Sequence, residues 1–150
     1  MTRLATLDDV DRVTTLIVAA YRDYIPRLGR NPQPMDDNYT TFVAENQLWV
    51  MEHRDEISGV LVCQHNDDHT LMRTVAISPE QQRKGLGSQL MMHAEQLALG
   101  EGNTTLRLYT NEVMTGYVEL YEGLGYSETH RSGPEGKQVV YMIKELNFDD

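Results

Sequence analysis

The chain has little of what several classes of protein require. It has a single cysteine, Cys63, which excludes an internal disulfide and favours a reduced, intracellular setting. It has no apolar run of about 18 residues and no signal-peptide layout, so we expect a cytoplasmic protein without a membrane segment. Basic residues are also scarce, 13 against 23 acidic ones, and no basic face for a nucleic acid is evident.

The length and the charge set the expected class. A chain of 150 residues suits one domain, and we expect a single domain over residues 1–150. Such a domain buries about 68–70% of the surface that its unfolded chain exposes, which is enough for a stable core without disulfides or bound metals. The formal charge of −10 favours a cationic partner, such as an amine, through long-range attraction.

The periodicity of apolar residues predicts alternating strands and helices. Expected strands cover residues 2–5, 48–53, 57–64, 70–77, 104–109, 126–131 and 138–144. Expected helices cover residues 6–25, 38–46, 81–99 and 112–123, with a stiff, proline-rich irregular loop over 26–37. Thr6 and Asp9 form a capping box for the first helix, and Pro26 prevents that helix from continuing. Short turns predict an antiparallel meander over 48–77, and a right-handed crossover makes strand 104–109 parallel to 70–77.

The most informative segment runs from Val75 to Leu90, where a strand leads through a glycine-bearing turn into a long helix. Free amides at a helix start point outward, and the helix dipole favours negative charge there. Gly85 and Gly87 allow a ligand to approach the main chain closely, and Arg83 and Lys84 add positive charge. The segment therefore predicts a phosphate-bearing ligand, although an ordinary strand-to-helix turn is the structural alternative.

The spacing of the glycines distinguishes between phosphate-binding motifs. A dinucleotide fingerprint needs a third glycine where Leu90 stands, and the Gly-Lys-Ser/Thr of a triphosphate loop is absent. The pattern Gln/Arg-x-x-Gly-x-Gly/Ala fits Gln82 to Gly87. After a strand ending in Val-x-Ile-x-Pro, it resembles the pyrophosphate arm of the GNAT superfamily of N-acetyltransferases. The segment Leu120–Tyr126, with the sequence LYEGLGY, resembles the second signature of that family.

This resemblance spans nearly the whole chain and implies both a fold and an activity. The fold is α/β (α+β), with a mixed, mostly antiparallel sheet of about seven strands and about four flanking helices. A parallel pair of strands splays apart at the cofactor site. The implied activity is transfer of an acetyl group from acetyl-CoA to a primary amine by direct attack in a ternary complex, without a metal. The alternative is a non-catalytic acyl-CoA sensor or structural module, and a homodimer is possible.

The resemblance also assigns roles to individual residues. The main chain of Val75, Ala76 and Ile77 would pair with the pantetheine arm, and an amide near Ile77 would stabilise the oxyanion. The residues expected at the pyrophosphate are Gln82, Arg83, Lys84, Gly85, Leu86, Gly87 and Ser88. Tyr121 would protonate the departing thiolate, or would simply pack at a helix end. Tyr126 is expected in the core.

Several positions depart from the pattern of the family. Met114 and Tyr117 stand where relatives often have Asn and Ala, so Asn111 is the expected substitute at the cofactor, or equally a helix cap. Some relatives have a glutamate base near the start of strand 70–77, where this chain has Leu71 and Arg73.

Glu112, His130 or a chain of water molecules are the candidates for the base. Cys63 lies mid-strand among apolar residues and is not expected to be a nucleophile.

Two further groups of residues are candidate ligand sites. The first group flanks the proline-rich loop and consists of Tyr21, Tyr24, Met35 and Tyr39. Of these, Tyr24, Met35 and Tyr39 are the predicted substrate contacts, and a solvated loop with incidental aromatic residues is the alternative. The segment His65–His69 holds two histidines and two aspartates. We interpret it as a polar turn rather than a metal site, because no other cluster would complete the coordination.

Overall fold

The computed structural model describes residues 1–147. The strands are β1 (Thr2–Leu4), β2 (Leu48–His53), β3 (Glu56–His65), β4 (Thr70–Ile77), β5 (Thr105–Asn111), β6 (Ser127–Ser132) and β7 (Val139–Glu145). The helices are α1 (Val10–Tyr21), α2 (Ile25–Leu28), α3 (Gln33–Asp36), α4 (Tyr39–Ala44), α5 (Leu86–Gly100) and α6 (Thr115–Gly123). Single 3₁₀ turns lie at Leu7–Asp9, Arg22–Tyr24 and Pro79–Gln81.

The strands form one seven-stranded sheet in the order β1-β2-β3-β4-β5-β7-β6. The pairs β1–β2, β2–β3, β5–β7 and β6–β7 are antiparallel, whereas β4 and β5 are parallel. The sheet therefore confirms the predicted mixed, mostly antiparallel architecture. The register of β4 with β5 runs from Thr70 opposite Leu106 to Met72 opposite Leu108, although β4 continues to Ile77.

The chain divides into two compact units. The first contains Met1–Cys63 and Thr74–Ala94, and the second contains Gln64–Arg73 and the described residues from Glu95 onward. Fully buried side chains of the first unit include Val13 and Ile17 of α1 together with Val50 of β2. In the second unit, Leu106 of β5 and Met142 of β7 are fully buried. Each unit thus has apolar side chains that are removed from water, and this removal is the main favourable contribution to the free energy of folding.

The proline-rich segment differs from the prediction. α1 ends at Tyr21, and the region predicted as an irregular loop contains the short helices α2 and α3. Pro26 and Pro34 lie in the first turns of these helices, where the missing amide hydrogen of proline costs no intrahelical bond. The expectation of a stiff irregular loop over 26–37 was therefore wrong, because proline is also compatible with the first turn of a helix.

Two other helices begin later than predicted. α5 begins at Leu86 rather than at residue 81, because Pro79–Gln81 form a separate 3₁₀ turn and Arg83 has a φ of 67°. α6 begins at Thr115 rather than at residue 112. There the side chain of Asn111 accepts a hydrogen bond from the Val113 amide at 3.2 Å, forming a local turn before the helix.

A buried carboxylate organises the N-terminal turn. Asp9, 2% exposed, accepts the Thr6 amide at 2.7 Å and ion-pairs with Arg3 and Arg12, each at 2.8 Å. This bond belongs to the predicted capping box of Thr6 and Asp9, which the structure confirms on the 3₁₀ turn that precedes α1. The hydrogen bond from Arg3 is the main reason why the pKa of Asp9 is held far below its usual range.

No helix within residues 1–147 combines the length and the apolar character needed to cross a bilayer.

Candidate functional site

The loop between β4 and α5 presents main-chain amides at a helix start. The first α-type bond of α5 runs from the Gln89 amide to the Gly85 carbonyl at 3.2 Å. The amides of Leu86, Gly87 and Ser88 precede it, and a helix offers them no acceptor four residues earlier. These three amides, at the positive end of the α5 dipole, form an arrangement that suits an anion.

The main chain at Gly85 is open to a ligand. Gly85 has a φ of 79°, and a Cβ built there would meet no atom within 4 Å. A ligand oxygen can therefore approach this part of the backbone without a side chain in the way. Arg83 and Lys84 are exposed beside it, and the Lys84 ammonium bonds Gln81 Oε1 at 3.1 Å. The residues of the loop fit a diphosphate group.

The C-terminal end of β4 directs the carbonyl groups of two residues away from β3. Ser78 donates its amide to the Ser58 carbonyl of β3 at 2.9 Å. Main-chain direction alternates along a strand, so the carbonyls of Val75 and Ile77 point to the other edge. The Val75 carbonyl accepts from the Tyr21 hydroxyl at 3.2 Å, and the Ile77 carbonyl accepts from Gln82 Nε2 at 3.2 Å. Ala76 between them is fully buried.

Tyr121 lies near the end of α6 in an aromatic group of the second unit. It is 6% exposed, and its ring centroid lies 6.3 Å from that of Tyr117 and 6.3 Å from that of Tyr126. Burial, with a smaller contribution from Tyr117, raises the pKa of Tyr121 far above its ordinary value. The phenol therefore stays protonated at neutral pH, which is the state that a proton donor needs. Tyr126 is 3% exposed, as predicted for a core residue.

Asn111 uses both ends of its side-chain amide within the second unit. Its Oδ1 accepts the Val113 amide at 3.2 Å, and its Nδ2 donates to the Lys137 carbonyl at 2.9 Å. The residue is 7% exposed. These bonds give Asn111 a structural role at the turn into α6, while its predicted contact with the cofactor stays a prediction.

The two side chains named as possible bases differ in their surroundings. The Glu112 carboxylate accepts from Arg131 at 2.8 Å and from the Gln138 amide at 3.1 Å, so both of its oxygens are engaged. His130 is exposed and stacks on Tyr141 with ring centroids 4.2 Å apart. Neither arrangement marks a base, and that role stays open.

The predicted substrate contacts lie in and beside the short helices of the first unit. Tyr39 is 4% exposed, and its hydroxyl donates to the Pro34 carbonyl at 2.6 Å. Tyr24 is half-buried with the Arg27 guanidinium 5.9 Å from its ring centroid, and Met35 is also half-buried. Tyr39 is thus buried, with its hydroxyl bonded to a nearby carbonyl, whereas Tyr24 and Met35 keep partly accessible side chains. Contact of these three residues with a substrate stays a prediction.

The histidine-rich turn bonds within itself. His65 Nδ1 lies 2.8 Å from Thr70 Oγ1, and His69 Nδ1 lies 2.7 Å from an oxygen of Asp68. Within residues 1–147, no group of three or more His, Cys, Asp and Glu side chains is arranged to hold a metal ion.

Two features of the first unit concern residues outside the predicted site. Burial raises the pKa of the Cys63 thiol to about 12, so the thiol stays protonated and is a poor nucleophile.

Tyr21 contacts the main chain of β4 through its hydrogen bond to the Val75 carbonyl, a contact that the sequence did not predict. The sequence marked Tyr21 only as an aromatic neighbour of the proline-rich loop, and no periodicity shows which carbonyl a distant hydroxyl will reach.

Comparisons with known proteins bear on the family and on the fold. The sequence pattern described as "Acetyltransferase (GNAT) family" matches residues 12–126. A protein of Xenopus tropicalis named Probable N-acetyltransferase 14 is 26% identical over 90 residues, which are 58% of this chain and 44% of that protein. The chain thus spans less than half the length of this curated relative.

Solved structures resemble the fold over its full length. The PaiA N-acetyltransferase of Thermoplasma acidophilum, in complex with coenzyme A, gives a TM-score of 0.83 at 12% identity and covers 97% of this chain and 98% of its own. A GNAT family acetyltransferase of Elizabethkingia anophelis with acetyl-CoA bound gives a TM-score of 0.71 at 17% identity, with 97% of each chain covered. At these identities the likeness concerns the fold.

Proposed function

Because the chain belongs to the acetyltransferase (GNAT) family, we propose that it transfers the acetyl group of acetyl-CoA to a primary amine. The observation that carries the proposal is the loop before α5. The three amides that precede the first hydrogen bond of α5, and the open main chain at Gly85, suit the diphosphate of coenzyme A. Each dipole-aligned contact of this kind contributes about 0.3–1 kcal/mol, so several together support useful affinity.

The roles within the first unit follow from this proposal. The amides of residues 83–88 bind the diphosphate, with Gln82 beside them, and the basic side chains of Arg83 and Lys84 add attraction. The main chain of residues 75–77 pairs with the pantetheine arm. An amide near Ile77 donates to the carbonyl oxygen on which negative charge develops. The base that takes the proton of the amine is not assigned.

Tyr121 is the proposed proton donor. As the amine nitrogen bonds to the acetyl carbon, the carbon–sulfur bond breaks and the sulfur takes the electron pair. Tyr121 supplies the proton that converts the thiolate into a thiol. A phenol is a weaker acid than a thiol, with ordinary pKa values of about 10 and about 8.5, so position rather than acidity makes the transfer effective.

Direct attack in a ternary complex is the proposed order of events. The only thiol of the sequence, Cys63, is buried and protonated, which disfavours a covalent acetyl-enzyme on this residue. Initial rates measured over a grid of acetyl-CoA and amine concentrations should therefore give intersecting double-reciprocal lines. Parallel lines would contradict direct attack and indicate a covalent intermediate.

The competing function is a module that binds acyl-CoA without turnover. The changes at Met114 and Tyr117 relative to the usual pattern keep this alternative open. Calorimetry with acetyl-CoA, followed by thiol-release assays across a panel of primary amines, distinguishes the two. Binding with turnover supports the enzyme, binding without turnover on any amine supports the sensor, and no binding at millimolar acetyl-CoA rejects both. A single domain over residues 1–150 and a homodimer stay predictions.

A further inference from the structure

The edge of β4 that carries Val75 and Ile77 is covered by two side-chain donors. Tyr21, the last residue of α1, donates to the Val75 carbonyl, and Gln82, from the diphosphate loop, donates to the Ile77 carbonyl. All four residues belong to the first unit. An uncovered strand edge leaves main-chain groups without hydrogen-bond partners. The register of β4 with β5 covers Thr70 to Met72, so the carbonyls of Val75 and Ile77 lie beyond it and obtain their donors from these two side chains.

The bond from Tyr21 is buried and long. Tyr21 and Val75 are each 5% exposed, so water does not readily replace a lost donor at this carbonyl. The oxygen–oxygen distance of 3.2 Å exceeds the usual distance of about 2.7–2.8 Å for hydroxyl donors. Tyr21 therefore satisfies the Val75 carbonyl but binds it weakly, which is the combination expected of a donor that another group can displace.

We propose that Tyr21 is a positioning residue that holds the Val75 carbonyl in the free protein and yields it to an amide hydrogen of the pantetheine arm. This inference rests on the proposed function, because it requires acetyl-CoA to pair with β4. The exchange leaves the number of hydrogen bonds at Val75 unchanged and releases the Tyr21 hydroxyl.

The consequence is an energetic coupling between the cofactor edge of β4 and the end of α1. Removing the hydroxyl leaves a buried carbonyl without this donor in the free protein, whereas the bound protein obtains its donor from the ligand. A variant without the hydroxyl should thus be less stable when free and equally stable when bound. Thermodynamic linkage then requires that it bind acetyl-CoA more tightly.

The test compares wild type with Tyr21→Phe by thermal unfolding and calorimetry. For the free variant we expect a Tm about 2–4 °C below that of wild type. With saturating acetyl-CoA the two Tm values should converge, and the Kd of the variant should be about three- to fivefold lower. A Tm deficit that persists in saturating acetyl-CoA, or an unchanged Kd, would show that Tyr21 only supports the fold.

Tyr39→Phe is the matched control. It removes another hydroxyl of a buried tyrosine that donates to a main-chain carbonyl, that of Pro34, in the same unit but without a partner on β4 in that bond. Its Tm deficit should be the same with and without acetyl-CoA. If wild type fails to bind acetyl-CoA, the proposed function fails. If wild type binds but Tyr21→Phe behaves like the control, only this inference fails.

A crystal structure of wild type with acetyl-CoA provides a test that does not depend on a variant. The Tyr21 hydroxyl should then lie beyond hydrogen-bond distance of the Val75 carbonyl, which should accept from the pantetheine arm. A structure in which the bound cofactor leaves the Tyr21–Val75 bond in place would overturn the inference.

Discussion

The indole ring of Trp49 contacts the imidazole ring of His93, with centroids 4.8 Å apart and planes inclined by 62°. Trp49 lies on β2 and His93 on α5, so the contact joins the sheet to the helix within the first unit. The Nε2 atom of His93 is buried and has no hydrogen-bond partner within residues 1–147. Burial lowers the pKa of His93 below its ordinary value, because a charged imidazolium would lose hydration there.

This contact predicts a pH-dependent fluorescence signal and an acid-sensitive fold. Trp49 is the only tryptophan, and an imidazolium quenches a neighbouring indole, so fluorescence should fall as His93 protonates. The unfolded chain binds this proton more readily than the folded one. The contribution of neutral His93 to the free energy of unfolding is therefore fully present above about pH 6.5 and declines as the pH falls below that value. His93→Phe should lose less Tm than wild type between about pH 7.5 and pH 5.

His53→Phe serves as the control for this titration, because His53 is exposed at the end of β2. Its fluorescence titration should match that of wild type. A quenching transition that survives His93→Phe would refute the assignment.

Tyr121→Phe should lower turnover at least about tenfold and leave the affinity for acetyl-CoA nearly intact. The variant cannot protonate the leaving sulfur, so its rate should recover partly at high pH, where a thiolate leaves more easily. Because burial raises the pKa of Tyr121, wild type should show no loss of rate from its ionisation below about pH 10. The measurements are a pH–rate profile and calorimetry on the same preparations.

Tyr126→Phe is the matched variant for this prediction. Tyr126 is a buried neighbour of Tyr121, and its hydroxyl lies 4.0 Å from the sulfur of Met72. Its turnover should stay near that of wild type. Equal losses in the two variants would mean that packing of the aromatic group, and not proton donation, explains the effect.

Gly85→Val should weaken acetyl-CoA binding without unfolding the protein. The new side chain would project into the open space where the diphosphate is proposed to lie, and it would also strain a φ of 79°. Gly102→Val separates these two effects, because Gly102 has a φ of 80° and equally open surroundings but lies beyond the end of α5. Both variants should lose stability similarly, and only Gly85→Val should lose affinity in calorimetry. Unchanged affinity at Gly85→Val would remove the main support for the diphosphate site.

Asp9→Asn should destabilise the protein by about 3 kcal/mol at neutral pH, because it leaves Arg3 and Arg12 without their shared carboxylate. The folded-state pKa of Asp9 is depressed, so its contribution is present above the unfolded value of about 3.9 and is lost as the pH falls below it. The difference between variant and wild type in chemical denaturation should therefore shrink towards acid pH. Asp8→Asn, at an exposed position beside it, should change stability little.

Asn111→Ala tests which of its two proposed roles applies. Loss of the bonds to Val113 and Lys137 should destabilise the protein by about 1–3 kcal/mol, because both main-chain groups lose a partly buried partner. If the role is only structural, the Kd for acetyl-CoA stays as in wild type. A several-fold increase in Kd, measured at a temperature where the variant is folded, would instead support the contact with the cofactor.

Strong local signals made most of the strands predictable. The apolar strands β2 and β4 were placed with the bounds that the structure has, and β3 within one residue at each end. The starts of α5 and α6 differ from the prediction, because a positive φ at Arg83 and a hydrogen bond from the Val113 amide to the Asn111 side chain decide where each helix begins. Neither feature leaves a trace in hydrophobic periodicity.

The sequence by itself determined that a glycine-bearing turn leads from a strand into a long helix, and it predicted phosphate binding there, because a helix start presents free amides locally. It also determined that the domain is mixed α/β, since alternating strand and helix periodicities allow few other arrangements. Only the tertiary structure decided that Tyr21 reaches the Val75 carbonyl and that Glu112 is engaged by Arg131. Those contacts join residues far apart in the chain, and packing of whole elements, not local propensity, sets which distant groups meet.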